Sequence, residues 1–89
     1  MITKVFSIYD TKGCMYGAPF FSVNAGTATR SFVELVNDSR SNVNKFPKDY
    51  ILFELGSFDD RSGEIVSLDK PVNLGLASDF IKKGDVNVK

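Results

Sequence analysis

Residues 49–68 read Asp49-Tyr50-Ile51-Leu52-Phe53-Glu54-Leu55-Gly56-Ser57-Phe58-Asp59-Asp60-Arg61-Ser62-Gly63-Glu64-Ile65-Val66-Ser67-Leu68. The first part, Tyr50 to Phe58, is dense in β-branched, aromatic and large apolar residues, the composition of a strand. Asp59 to Gly63 is a turn segment, with Gly63 placed where the chain needs φ > 0. Glu64 to Leu68 then supplies the second arm of a β-hairpin. Alternation puts Ile51, Phe53 and Leu55 on one face and Tyr50, Leu52 and Glu54 on the other, so one face is fully apolar and the other partly so. Such a strand belongs in the middle of a sheet, and the rest of the chain has to cover it.

Working outward toward the N-terminus, Ile2 to Tyr9 carries Val5, Phe6, Ile8 and Tyr9 in one short run and reads as the first strand. Asp10 to Gly13 is a turn signal. Cys14 to Pro19 is an irregular link in which Pro19 removes a ladder donor and marks a sheet edge, and Phe20 to Val23 resumes as a short strand. Asn24 is a helix N-cap. Ala25, Ala28, Phe32, Leu35 and Val36 recur at helical spacing behind it, which predicts an amphipathic helix over about Ala25 to Asp38 with Phe32 central to the core and Arg30 and Glu34 outside. Asn37 to Lys48 reads as a long polar loop stopped by Pro47.

On the C-terminal side, Asp69-Lys70-Pro71 reads as a turn. Leu74, Ala77, Phe80 and Ile81 are spaced as the inner face of a short second helix, capped by Asn73 and stopped near Gly84. Gly75 weakens that helix, and a return strand over Val72 to Leu76 is the other reading. The expectation is one α+β domain over residues 1–84 with a tail at 85–89. Its antiparallel sheet of about four strands carries one amphipathic helix and a short C-terminal helix, with Ile51, Phe53 and Leu55 facing Phe32. A small, partly open barrel resembling the oligonucleotide-binding fold is the alternative.

Composition narrows the function classes. Eighty-nine residues make one domain, and 43% hydrophobic content with eight Phe and three Tyr is enough for a packed core. Eleven Lys and Arg balance eleven Asp and Glu, which removes the strongly basic signature of a DNA-packaging protein and leaves any nucleic-acid contact to a local patch. Histidine is absent, so the commonest general base and metal ligand are missing and the chain reads as a non-enzyme without cofactor or metal. The single cysteine, Cys14, closes no intrachain disulfide and reads as a partly buried small apolar side chain. Asp59, Asp60 and Glu64 do not match a calcium loop and read as turn caps rather than metal ligands. No apolar run approaches a membrane span or a leader, so a soluble, unprocessed protein in a reducing cytoplasm is expected.

The residue pattern that points to a ligand is the interleaving of aromatics with cations, a combination that binds single-stranded nucleic acid by stacking and phosphate tracking. Tyr9, Lys12 and Tyr16 form one group and Arg40, Lys45 and Lys48 the other, these six being the candidate binding residues.

Three stretches together resemble the small nonstructural protein of gokushovirus-type Microviridae, phages with circular single-stranded DNA. They are the opening Ile2 to Asp10, the Ala18-Pro19-Phe20-Phe21 that leads into Ala25 to Phe32, and Lys48 to Gly63. The resemblance covers about Ile2 to Phe80, is most specific over Asp49 to Gly63 and contains no catalytic motif. It implies a DNA-binding or DNA-replication protein in the cytoplasm of an infected bacterium, regulating replication or single-strand synthesis, with single-stranded DNA and a phage or host replication protein as partners. A protein-interaction module that touches no DNA is the other function class. Open sheet edges at the Pro19 segment and the second hairpin arm make a homodimer the expected assembly.

Overall fold

The computed structural model describes residues 1–82, so the tail expected at 85–89 and the domain end expected at 84 lie outside the described residues. The hairpin is the spine of the fold. Strand β4 (Tyr50–Asp59) returns as β5 (Ile65–Leu76), antiparallel, through a turn in which the Gly63 amide donates to Asp59 O at 2.7 Å. Asp59 also caps the turn itself, its Oδ1 accepting from the Arg61 amide at 2.9 Å, which with Ser62 holds the carboxyl below its ordinary pKa. Gly63 has φ 78°, the left-handed region that disfavours side chains. The position is open to solvent, so Gly63→Val acts through backbone strain alone and is expected to lower stability by ~1 kcal/mol, read as a shift in the urea midpoint. An unchanged midpoint would contradict the strain.

On the other side of β4 lies β1 (Ile2–Asp10), and β1 also pairs with two short strands, β2 (Met15–Tyr16) and β3 (Phe20–Ser22). The result is an open, antiparallel five-stranded sheet of order β2-β1-β4-β5, with β3 on β1 beside β2, rather than a closed barrel. One long helix, α1 (Ala25–Val36), covers one face, entered through Asn24, whose Oδ1 accepts from the Thr27 amide. Ala28, Phe32 and Val36 form its buried stripe and meet Phe6, Leu52 and Ala77, as the helical spacing predicts.

Three expectations need correction. Leu52, not the Ile51, Phe53 and Leu55 set, faces the helix and is fully buried, with Tyr50 packed beside it. Both faces of this strand are apolar, so alternation alone leaves the choice of core face open, and the register Leu52↔Ile8 decides it. Residues 37–48 are not an unstructured loop: a one-turn helix α2 (Asn42–Lys45) buries Val43, and a 3₁₀ turn follows at Pro47–Asp49. Polar side chains build this segment. Ser41 Oγ donates to Leu35 O and Asn44 Nδ2 to Val36 O, satisfying carbonyls that α1 leaves without a helical partner, while Ser41 also caps α2.

The third correction concerns the C-terminal helix. Val72 to Leu76 is the end of β5, the return strand, and only Ala77–Phe80 is helical, as a single 3₁₀ turn. Asn73 caps no helix; its Oδ1 accepts from the Gly75 amide two residues on. Leu74, Ala77 and Phe80 still reach the core, Phe80 meeting Phe32 edge-on at 5.8 Å between ring centres.

Candidate nucleic-acid interface

The helix lies on one face of the sheet, and the strand register decides what stands on the other. Alternation along β1 places Ser7 and Tyr9 on that face. The pairs Ser7↔Phe53, Tyr9↔Ile51 and Tyr9↔Tyr16 bring residues of β4 and β2 beside them. Three rings meet: Tyr9 and Tyr16 at 4.8 Å between centres, Tyr16 and Phe53 at 5.7 Å, and Tyr9 and Phe53 at 6.1 Å, the two contacts with Phe53 being edge-to-face. Such pairs contribute ~0.5–1.5 kcal/mol each beyond burial, so the cluster holds its own shape without a covering layer.

Backbone and buried polar contacts position it. The fully buried Ser7 donates its hydroxyl to Gly17 O at 2.7 Å, and the Gly17 amide donates to Ile8 O at 2.8 Å, which folds the chain after β2 back against β1 and lays Tyr16 beside Tyr9. The β1–β2 turn is shaped by Asp10, whose Oδ1 accepts from the amides of Lys12 and Gly13. Cys14 takes φ 56° in this turn and is exposed, a correction to its expected partial burial; the turn geometry, not packing, fixes its place. Tyr16 remains 41% exposed, and Tyr9 and Phe53 are half-buried. Packing against its neighbours, then Cys14 and Tyr16, raises the Tyr9 phenol above its ordinary pKa, so the ring is neutral at physiological pH.

The cations divide into those near this face and those committed elsewhere. Lys12 is exposed in the turn, and the adjoining Thr11 donates from both its amide and its hydroxyl to Asp49 O, at 2.9 and 3.0 Å. That double contact ties the Lys12 turn to the segment Lys45-Phe46-Pro47-Lys48-Asp49, which lines an open cavity of about 280 Å³. Phe46 is 58% exposed between two exposed lysines. Arg40 stands apart: its Nε and Nη2 donate to the two oxygens of Asp38 at 3.0 and 3.1 Å, and the guanidinium pulls the Asp38 carboxyl below its usual range. Lys4 is 3.4 Å from Glu54 on the helix side.

Of the six candidate residues, Tyr9, Lys12 and Tyr16 therefore belong to one strand pair and its turn, Lys45 and Lys48 occupy the segment tied to that turn, and Arg40 is paired with Asp38 in the loop behind α1. Phe53 was assigned to the core by sequence and Phe46 was not among the six. Only the pairing register reveals Phe53 as a third ring on the open face, whereas Phe46 was visible as an aromatic between Lys45 and Lys48.

The chain is a small α+β domain with a helix on one sheet face and a ring cluster on the other. The chain belongs to the family described as Phage ORF5 protein, whose model matches residues 3–80, and it is thus a phage-encoded protein. Comparison with curated proteins and with solved structures returns no match. Among the described residues no helix is long and apolar enough to cross a membrane.

Proposed function

We propose that this phage protein binds single-stranded DNA weakly and without sequence preference on the helix-free face of its sheet. In this reading it regulates viral DNA replication or single-strand synthesis in the cytoplasm of the infected bacterium, by binding and not by catalysis. The gokushovirus-type resemblance supplies the replication setting. One observation carries the binding surface: Tyr9, Tyr16 and Phe53 form a half-exposed ring cluster beside the Lys12 turn. Bases stack on such rings at ~1–3 kcal/mol each without regard to sequence, and lysines follow the phosphates. Phe46, between Lys45 and Lys48, lies in the segment that the Thr11 and Asp49 contact ties to the Lys12 turn. With eleven cations balanced by eleven anions, the chain neutralises only a few phosphates, and the affinity is correspondingly modest.

Fluorescence anisotropy of a labelled oligonucleotide across a salt series tests this. The logarithm of the binding constant should fall linearly with log salt, at about −0.7 per phosphate contact. Tyr16→Ala should weaken binding by ~10-fold or more at every salt concentration, whereas replacing Lys45 and Lys48 together should flatten the slope. Absence of saturable binding at low salt would replace this reading with that of a module for a phage or host protein.

A further inference from the structure

The helix-free face does not end at the Tyr9 cluster. Alternation along β1 sets Thr3, Val5, Ser7 and Tyr9 on it, and the pairs Val5↔Phe21 and Thr3↔Phe58 bring a second set of rings to the same face. Phe21 and Phe58 meet across β1 at 5.6 Å between ring centres, inclined at 66°. Tyr16 and Phe53 meet across it in the same way at the other end, so each short edge strand, β2 and β3, supplies one ring that reaches a ring of β4.

A bulge makes this arrangement possible. Phe53 and Phe58 are five residues apart, an odd step that would turn them to opposite faces of a regular strand. The register slips by one between them: Phe6 pairs with Glu54 and Val5 with Gly56, which leaves Leu55 without a partner on β1 and returns Phe58 to the face of Phe53. Bulges re-aim side chains in this way beside functional sites. From Tyr9 to Thr3 the two clusters stand about 20 Å apart along β1. Between them Gly56 adds no side chain, and Val5, Pro19 and Ile65 line an open cavity of about 210 Å³.

We propose that the two clusters form one track, along which a single strand of DNA lies parallel to β1, its bases stacked on Tyr16 and Phe53 at one end and on Phe21, 54% exposed, at the other. This rests on the DNA-binding reading above and adds the path of the strand and a second platform that extends its length. Asp59, Asp60, Arg61 and Glu64 follow Phe58, so the far end brings no surplus of cations and contributes stacking rather than phosphate contacts.

Fluorescence anisotropy with labelled oligothymidylates of about 4 to 16 nucleotides, the range of single-strand site sizes, tests the track at low salt. Phe21→Ala should bind the shortest strands as the parent chain does and the long ones about 5-fold or more weakly, with the parent's salt slope. Phe21 is exposed, so circular dichroism of the variant should match the parent chain. In the parent itself, the Phe21 and Phe58 ring protons should move upfield in the NMR spectrum when a long oligonucleotide is added. Long strands bound equally by Phe21→Ala and the parent, or Phe21 and Phe58 protons that stay in place while those of Tyr16 move, would overturn the track and leave DNA on the Tyr9 cluster alone. A parent chain that binds no oligonucleotide of any length would remove the DNA-binding reading and the track with it.

Discussion

Phe32→Ala is expected to lower the stability of the protein by ~3–5 kcal/mol, the range for truncating a buried phenylalanine. Phe32 is 1% exposed, in the middle of the α1 stripe, where Ala28 and Val36 flank it and Phe80 meets its ring edge-on. Little can move in to fill the space. An open groove of about 250 Å³ lined by Ile8, Phe20, Ser31, Phe32 and Leu35 already borders the ring, and truncation would enlarge it. For so small a domain the loss is a large part of the total stability. Arg30→Ala, two residues earlier on the exposed side, removes no buried contact and should shift the urea midpoint within ~0.5 kcal/mol. Equal midpoints for the two variants would mean that the helix presents a different face to the sheet.

Gly56→Ala should be nearly as damaging, although it adds only a methyl group. Gly56 is buried in β4, opposite Val5 on one side and Ser67 on the other. A Cβ there would stand 2.2 Å from Val66 O and 3.1 Å from Ser67 Cα. Both obstructing atoms are backbone, so no side-chain rotation relieves the clash and β5 has to move away from β4. The expected cost is ~3 kcal/mol, the upper part of the overpacking range. Amide exchange should locate it in Gly56 to Phe58 and Ile65 to Ser67, with α1 amides losing protection only in proportion to global stability. Parent-like stability would contradict the close approach of the two strands at this point.

The parts of this fold legible in sequence are those governed by local rules. Asn24 and the Ala28, Phe32 and Val36 spacing define α1, and Asp59 with Gly63 defines the hairpin turn, because capping, periodicity and a positive φ are all local. The face of β4 that meets the helix was not legible. Tyr50 and Leu52 are no more apolar than Ile51 and Phe53, and only pairing with β1 separates them. The same ambiguity hid part of the candidate site: Tyr9 and Tyr16 stood out as aromatics near Lys12, but Phe53 joins them through the Ser7↔Phe53 register, which spans distant parts of the chain. Arg40, by contrast, is held by a near neighbour. Its partner Asp38 is only two residues away, and that short-range pair was readable as a local competitor for the charge. The end of β5 misled because Leu74, Ala77 and Phe80 reach the core from a strand followed by a 3₁₀ turn and mimic the spacing of a helix face.

The central claim, that the helix-free sheet face carries single-stranded DNA, has a direct spectroscopic reporter. The chain contains no tryptophan and three tyrosines, so its intrinsic fluorescence comes from Tyr9 and Tyr16 on that face and from Tyr50, which packs against the core on the other. Stacked bases quench a tyrosine they touch. Titrating the unlabelled protein with oligothymidylate at low salt should quench most of the emission saturably. Tyr50→Phe should leave the quenching in place, and replacing Tyr9 and Tyr16 together by Phe should abolish it while binding measured by anisotropy persists. Saturable binding with no quenching, or quenching that disappears with Tyr50→Phe, would place DNA away from the ring cluster and contradict the assignment.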